Sequence, residues 1–168
     1  MMRKLFFVLI MVGAATAVFA QAQLTDTGSV TLQGVVAKRV EITVTGVGNY
    51  NNLDLTTDMT DLAVVEVNEY SNVREGYEVK LTSLNAGAES TSDPSFKGAL
   101  GGESLTYTVK YDSTAVSFTS GEALITDAFA KTGRPGANKN LTISYAGSTA
   151  DLVSDTYSDD LTFTITAK

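Results

Sequence analysis

The chain has 168 residues with 19 acidic and 12 basic side chains, and it contains no cysteine, histidine or tryptophan. Without Cys and His it lacks the usual thiol nucleophile, general base and transition-metal ligands, so any enzyme chemistry would depend on carboxylates alone. The acidic balance repels phosphate backbones and anionic membranes, and it therefore argues against nucleic acid as a partner.

Residues 1–20 have the pattern of a secretory signal peptide. Arg3 and Lys4 precede an apolar run over residues 5–12, and small residues follow as far as Ala20. This run is too short and too diluted for a membrane-spanning helix, so we expect cleavage after residue 20, or alternatively after residue 22. The chain is then expected in the periplasm, on the cell surface or outside the cell, with no membrane insertion after cleavage.

Removal of this segment leaves 148 residues, of which 10 are basic and 19 acidic. That length suits one domain with a sufficient apolar core. Export usually favours disulfides, but this chain has no Cys, so its stability must come from packing and strand pairing. We expect residues 21–36 to form an N-terminal extension or a first strand, and residues 37–168 to form a single domain.

Alternation of apolar and polar residues with period two dominates this domain and predicts strands. The clearest segments are Val40–Val44, Tyr77–Leu81, Leu105–Tyr111, Leu141–Tyr145 and Leu161–Ile165; weaker ones are Val30–Val36, Ala63–Val67, Ala115–Thr119 and Ala123–Thr126. Loops are predicted at Gly46–Asn52, Leu84–Ser95, Gly98–Ser104 and Lys131–Asn140, with a single helical turn at most within Asp127–Gly133. Strands with one buried and one solvent-exposed face are typical of antiparallel sheets, which must stack to cover their apolar sides. The sequence therefore predicts an all-β antiparallel sandwich.

Carboxylates are the remaining candidates for chemistry. Asp58 and Asp61 flank a predicted loop, and Asp151, Asp155, Asp159 and Asp160 precede the last strand. Calcium would suit oxygen ligands, but EF-hand spacing is absent. We interpret these groups as solvated turn and strand-start residues, and we predict a protein that is not an enzyme and that has no catalytic residues, metal site or cofactor.

Two groups of residues are candidates for a ligand surface. Lys131, Arg134 and Lys139 lie in one Gly-rich segment, where they could contact an anion or a partner. Tyr50 and Tyr70 are the tyrosines outside the clear strand registers, and they could serve a glycan or protein ligand.

The final segment suggests an immunoglobulin-like sandwich that lacks its last strand. Tyr157 shares the register of Leu161, Phe163 and Ile165. In immunoglobulin-like sandwiches a tyrosine near the start of the penultimate strand anchors a corner, and one more strand then completes the sheet. If Tyr157 has this role, the strand containing Leu161, Phe163 and Ile165 offers an unpaired acceptor edge.

Leu53–Gly87, the segment "LTYTVKYD" and the closing "DTYSDDLTFTITAK" resemble bacterial surface-fibre subunits of the spore coat protein U and archaic chaperone–usher pilin type. The resemblance implies an immunoglobulin-like subunit without its final strand. It also implies partners: a periplasmic chaperone, an outer-membrane usher, and sister subunits that each donate an N-terminal strand to a neighbour.

Strand donation requires an extended segment with alternate apolar residues. Val30, Leu32, Gly34 and Val36 meet this pattern. The first hypothesis is thus a structural subunit of an exported surface fibre, pilus or coat that acts by strand complementation. The alternative is a self-contained sandwich that binds glycan or protein through its loops.

Overall fold

The structure, a computed structural model, describes residues 25–168. The compact unit spans Val36–Lys168, and residues 25–39 contain no helix or strand. The predicted signal peptide, with both of its cleavage points, lies outside the described residues. Within residues 25–168, no helix is long and apolar enough to cross a membrane.

Eleven strands and one short α-helix are present in residues 40–168, besides a single 3₁₀ turn at Gly147–Thr149. In chain order they are β1 (Val40–Gly46), β2 (Asp58–Ser71), β3 (Tyr77–Ser83), α1 (Leu84–Glu89), β4 (Ser95–Gly98), β5 (Ser104–Thr106), β6 (Thr108–Tyr111), β7 (Thr114–Val116), β8 (Glu122–Ala128), β9 (Ala137–Ala146), β10 (Tyr157–Ser158) and β11 (Leu161–Ala167).

These strands form antiparallel sheets. One sheet has the order β1-β2-β9-β6-β7, a second has the order β11-β3-β8, and a small third sheet has the order β10-β4-β5. The prediction of an all-β antiparallel sandwich is confirmed.

The core follows from the alternation in the sequence. In β3, Tyr77, Val79 and Leu81 are buried while the residues between them face outward. Leu141, Ile143 and Tyr145 are buried in the same way on β9. Apolar side chains on alternate positions of facing sheets thus fill one shared interior.

Several predicted boundaries are wrong. The helix α1 occupies part of the predicted Leu84–Ser95 loop, because the Ser83 side chain caps it by accepting a hydrogen bond from the Ala86 amide. The predicted loop Lys131–Asn140 ends early, since β9 begins at Ala137. No helical turn forms within Asp127–Gly133.

Residues Val30–Val36 are not in a strand. Their apolar side chains are almost fully exposed, at 82% for Val30, 90% for Leu32 and 86% for Val36. Alternation alone does not form a strand, because the backbone needs a hydrogen-bonded neighbour. The expectation that this segment is a first strand of the domain is therefore wrong.

Candidate functional site

The candidate site is the space between the free edges of β1 and β11, which we call the β1–β11 groove. Each of the two strands has a hydrogen-bonded neighbour on one side among the described residues: β2 for β1 and β3 for β11. Their Cα atoms approach within 8 Å, yet the strands are not paired with each other. The groove is therefore lined by two edges with unpaired backbone groups, which can accept an added strand.

The inward side chains of β11 are covered less than those of the adjacent strand. Leu161, Phe163 and Ile165 point inward but are half-buried, while Val79 and Leu81 beside them on β3 are fully buried. On the side away from β3, β11 has no hydrogen-bonded neighbour among the described residues. Half-exposed apolar side chains beside an open edge favour binding of a further apolar segment.

Side chains of β1 show the same incomplete burial. Ile42 is half-buried and Val44 is 46% exposed, although both lie on the inward face of the strand. A cavity of about 240 Å³ lies between Val44 and Gly46 on one side and Leu161 and Phe163 on the other. It reaches core residues such as Ile143, so a side chain placed in the groove can contact the interior.

Tyr157 lies near the start of β11, in the two-residue strand β10. Its hydroxyl is 3.1 Å from the Val153 carbonyl oxygen and 3.0 Å from Glu103 Oε2, so it can donate to either acceptor. A contact to backbone a few residues upstream matches the geometry of a tyrosine corner. Desolvation, with the Glu103 carboxylate second, raises the pKa of Tyr157 above its usual value.

The residues that the sequence assigns to a donor strand lie in a fully exposed segment. Val30, Leu32 and Val36 are exposed, and a Cβ at Gly34 would have no heavy atom within 4 Å. The segment therefore has apolar side chains and backbone groups available for pairing with another molecule.

The predicted ligand residues do not form one surface. Arg134 stacks on Tyr70, with the guanidinium carbon 5.4 Å from the ring centre, and Lys131 is exposed in the same loop. Tyr50 lies beyond the opposite end of β1, since Val40 pairs with Ser71 and Gly46 with Val65. Lys139 is not in a loop but in β9, where its side chain is only 19% exposed.

A buried polar cluster, which the sequence analysis missed, explains the position of Lys139. Glu69 on β2 is fully buried, and its carboxylate accepts hydrogen bonds from the hydroxyls of Tyr77 (2.9 Å), Tyr111 (2.5 Å) and Thr126 (2.9 Å). The Lys139 ammonium lies 3.2 Å from Glu69 Oε2 and donates to Thr126 Oγ1 at 2.8 Å. The only sign of this cluster in the sequence was that Glu69 falls in the same alternating register as Val67 and the buried Ser71.

The cluster is closed to substrates. Each carboxylate oxygen of Glu69 has two polar neighbours, and the residue has no exposed surface. Burial, with the hydrogen bond to Glu69 second, raises the pKa of both Tyr77 and Tyr111 above the usual range. We therefore interpret the cluster as a structural element of the interior.

Two of the four aspartates near the last strand, Asp155 and Asp159, have structural partners. Asp159 accepts hydrogen bonds from Ser83 Oγ (2.7 Å), Tyr107 OH (2.6 Å) and the Asn85 amide (3.1 Å). Asp155 accepts one from the Leu100 amide at 2.8 Å. Within residues 25–168, no group of three or more acidic side chains is arranged to hold a metal ion.

The earlier acidic pair is likewise engaged. Asp58 accepts hydrogen bonds from the amide and hydroxyl of Ser148, which lower its pKa. Asp61 forms an exposed ion pair with Lys110 at 2.8 Å.

The chain matches no protein-family model. No curated protein matches it either.

Proposed function

We propose that this protein is a non-enzymatic structural subunit of an exported surface fibre, pilus or coat, and that its copies join by strand complementation. In this proposal the segment around Val30, Leu32, Gly34 and Val36 of one copy occupies the β1–β11 groove of the next. Periplasmic chaperone and usher partners belong to the same proposal, as the family resemblance implies.

The observation that carries the proposal is the groove itself, with two strand edges that have no partner within residues 25–168 and half-buried apolar side chains at Leu161, Phe163 and Ile165. A complementary observation is the exposed segment with alternate apolar residues. A strand added to the groove gains backbone hydrogen bonds from the edges and buries apolar side chains in its interior.

The spacing of the edges sets one requirement for binding. A strand that paired with both β1 and β11 would hold them about 9.6 Å apart, because paired strands lie about 4.8 Å from each other. Several Cα atoms of β1 and β11 are within 8 Å of one another. The groove must therefore widen by a few ångströms, or the added strand must pair with one edge alone.

The test is to place a charge in the donor segment. Leu32→Asp would put a carboxylate into an apolar groove, so the exported chain should remain monomeric. Thr31→Asp is the matched control, because the neighbouring residue points to the other side of an extended segment. Both sites are exposed in the free chain, so neither change disturbs the folded unit.

Sedimentation velocity and electron microscopy measure the outcome. We expect fibres from the unmodified chain and from Thr31→Asp, and monomers from Leu32→Asp. Fibres that form equally from Leu32→Asp would contradict donation by this segment.

A second candidate function, a binding module for glycan or protein, has one observation in its favour. A cleft of about 920 Å³ lies between the loop Tyr50–Thr56 and the segment Leu152–Asp159. Its walls combine the Tyr50 ring with the amides of Asn51 and Asn52, a mixture suited to polar ligands. Glycan-array binding by monomeric Leu32→Asp, lost on Tyr50→Ala, would favour this function.

A further inference from the structure

Basic side chains gather at one end of the sandwich. Segments 36–39, 72–76 and 129–136, together with Lys168, contain six basic residues and one acidic residue. Backbone hydrogen bonds join these segments: Asn72 to Arg39, Thr132 to Ser71, and Lys168 to Gly76. We call this the basic end.

Some of the positive charges at the basic end are paired with nearby carboxylates. Lys168 pairs with Asp127 at the end of β8, and Arg39 pairs with Glu41 on β1. Arg74 and Lys131 have no ion-pair partner among the described residues. The basic end therefore keeps a net positive charge.

The opposite end is acidic. Segments 47–57, 84–94, 99–103 and 147–160 contain eight acidic residues and neither Lys nor Arg, and one of the eight, Glu89, pairs with Lys97 on the adjacent strand β4. Asn85 bonds to Ser158, the Val153 amide bonds to Glu103, and the Ser148 amide bonds to Asp58, so these loops lie together. We call this the acidic end; it includes exposed apolar side chains at Leu100 and Val153.

The two ends are far apart in one molecule. Strand β9 runs from Ala137 at the basic end to Ala146 at the acidic end, a span of ten residues. At about 3.3 Å per residue this is roughly 30 Å. Charges so distant are screened from each other at physiological salt, where the Debye length is about 8 Å, so each end is free to attract a charge on another molecule.

We infer that the basic end of one copy docks on the acidic end of the next copy, as an electrostatic contact additional to the inserted strand. The inference rests on the proposed function. Only three residues, Ala37–Arg39, separate Val36 from β1, so Val36 is at most about 14 Å from Val40, the first residue of β1. When the donor segment is bound, the basic end of the donating copy must therefore lie close to one end of the acceptor.

The charges determine which end of the acceptor copy the basic end should contact. Contact with the acidic end pairs opposite charges, whereas contact with a second basic end opposes like charges. The chain without residues 1–20 has 19 acidic and 10 basic residues, so two copies repel each other overall. Segregated ends allow attraction at the contact in spite of that repulsion.

The test reverses one charge at a time in the exported full-length chain. Asp151→Lys changes an exposed residue of the acidic end, and Glu66→Lys makes the same change in net charge on an exposed outer face of β2. If only net charge mattered, both changes would reduce repulsion and speed polymer growth. We expect Asp151→Lys instead to slow growth about three- to ten-fold at about 10 mM salt, and Glu66→Lys not to slow it.

The second part of the test restores opposite charges at the contact by combining two substitutions. Lys131→Glu at the basic end should also slow growth, and the double variant with Asp151→Lys should grow faster than either single variant. At about 1 M salt, where the Debye length is about 3 Å, all rates should converge. Light scattering measures growth, and circular dichroism checks that each variant is folded.

Two results would overturn the inference while leaving strand donation intact. One is an equal rate change for Asp151→Lys and Glu66→Lys; the other is a double variant no faster than its parents. If the unmodified chain forms no polymer under these conditions, both the inference and the proposed function are wrong.

Discussion

Replacing Lys139 with methionine should destabilise the domain by about 3 kcal/mol. Methionine keeps the apolar stem but removes the ammonium that lies 3.2 Å from the fully buried carboxylate of Glu69. Removing one partner of a buried ion pair typically costs about 3–5 kcal/mol. The lower figure applies here, because the hydroxyls of Tyr77, Tyr111 and Thr126 still donate to Glu69.

Urea denaturation followed by circular dichroism gives the free energy of unfolding. The matched control is Lys80→Met, which breaks an ion pair with Glu122 at 2.7 Å whose side chains are about half exposed. Exposed pairs contribute about 0–1 kcal/mol, so this variant should unfold at nearly the urea concentration of the unmodified chain. Equal and small effects of both substitutions would refute the interpretation of the cluster as a stabilising element.

A double-mutant cycle sharpens the same prediction. Glu69→Gln removes the buried charge while keeping the shape, so Lys139→Met should cost less in its presence than alone. Strictly additive costs would show that the two groups are not coupled.

Three further predictions concern the interior and the turns. Burial raises the pKa of Tyr107 and of Tyr111, so both side chains stay neutral when the protein is folded. Their contribution to stability is complete below pH 10 and is lost as the pH rises above it, by up to about 1.4 kcal/mol per group per pH unit. In an alkaline titration, the Tyr→Phe variants should therefore lose stability less steeply than the unmodified chain. Gly76→Ala should prevent stable folding, because a Cβ there would lie 1.9 Å from the Ala128 carbonyl oxygen. The control is Gly102→Ala, which is also at positive φ but has open space around it. It should cost only about 1 kcal/mol in thermal unfolding. Ser83→Ala should cost about 1–2 kcal/mol in urea denaturation, because the hydroxyl caps α1 and donates to a carboxylate; no measurable change would contradict the capping role.

The sandwich was predictable because its signal is local. Residues such as Tyr77, Val79 and Leu81 alternate with polar neighbours, and that period alone defines a half-buried strand. The short strand β4 was missed, because four residues are too few to show a period. The predicted strand Leu105–Tyr111 is divided between β5 and β6, which pair with different strands. The helix α1 was missed for a similar reason, since its six residues contain Gly87 and are ordered by a cap and by contacts with β4.

The candidate site was predictable only in part. The sequence indicated which residues of the last strand face inward, but not which strand edges stay unpaired, because pairing joins residues far apart in the chain. Lys139 was assigned to a loop because Gly and Asn surround it, and its contact with Glu69, seventy residues earlier, has no local signal. Long-range charge pairs of this kind require the fold itself.

The buried cluster around Glu69 also fixes the alignment of the two main sheets. Glu69, Tyr111 and Lys139 belong to the sheet that contains β2, and Tyr77 and Thr126 belong to the sheet that contains β3. Sliding one sheet past the other by a residue pair would separate the carboxylate from two of its donors and leave it poorly solvated in an apolar interior, at a cost of several kcal/mol. Every folded molecule should therefore have the same displacement of β1 relative to β11, and the strand complementation proposed above would require that uniformity.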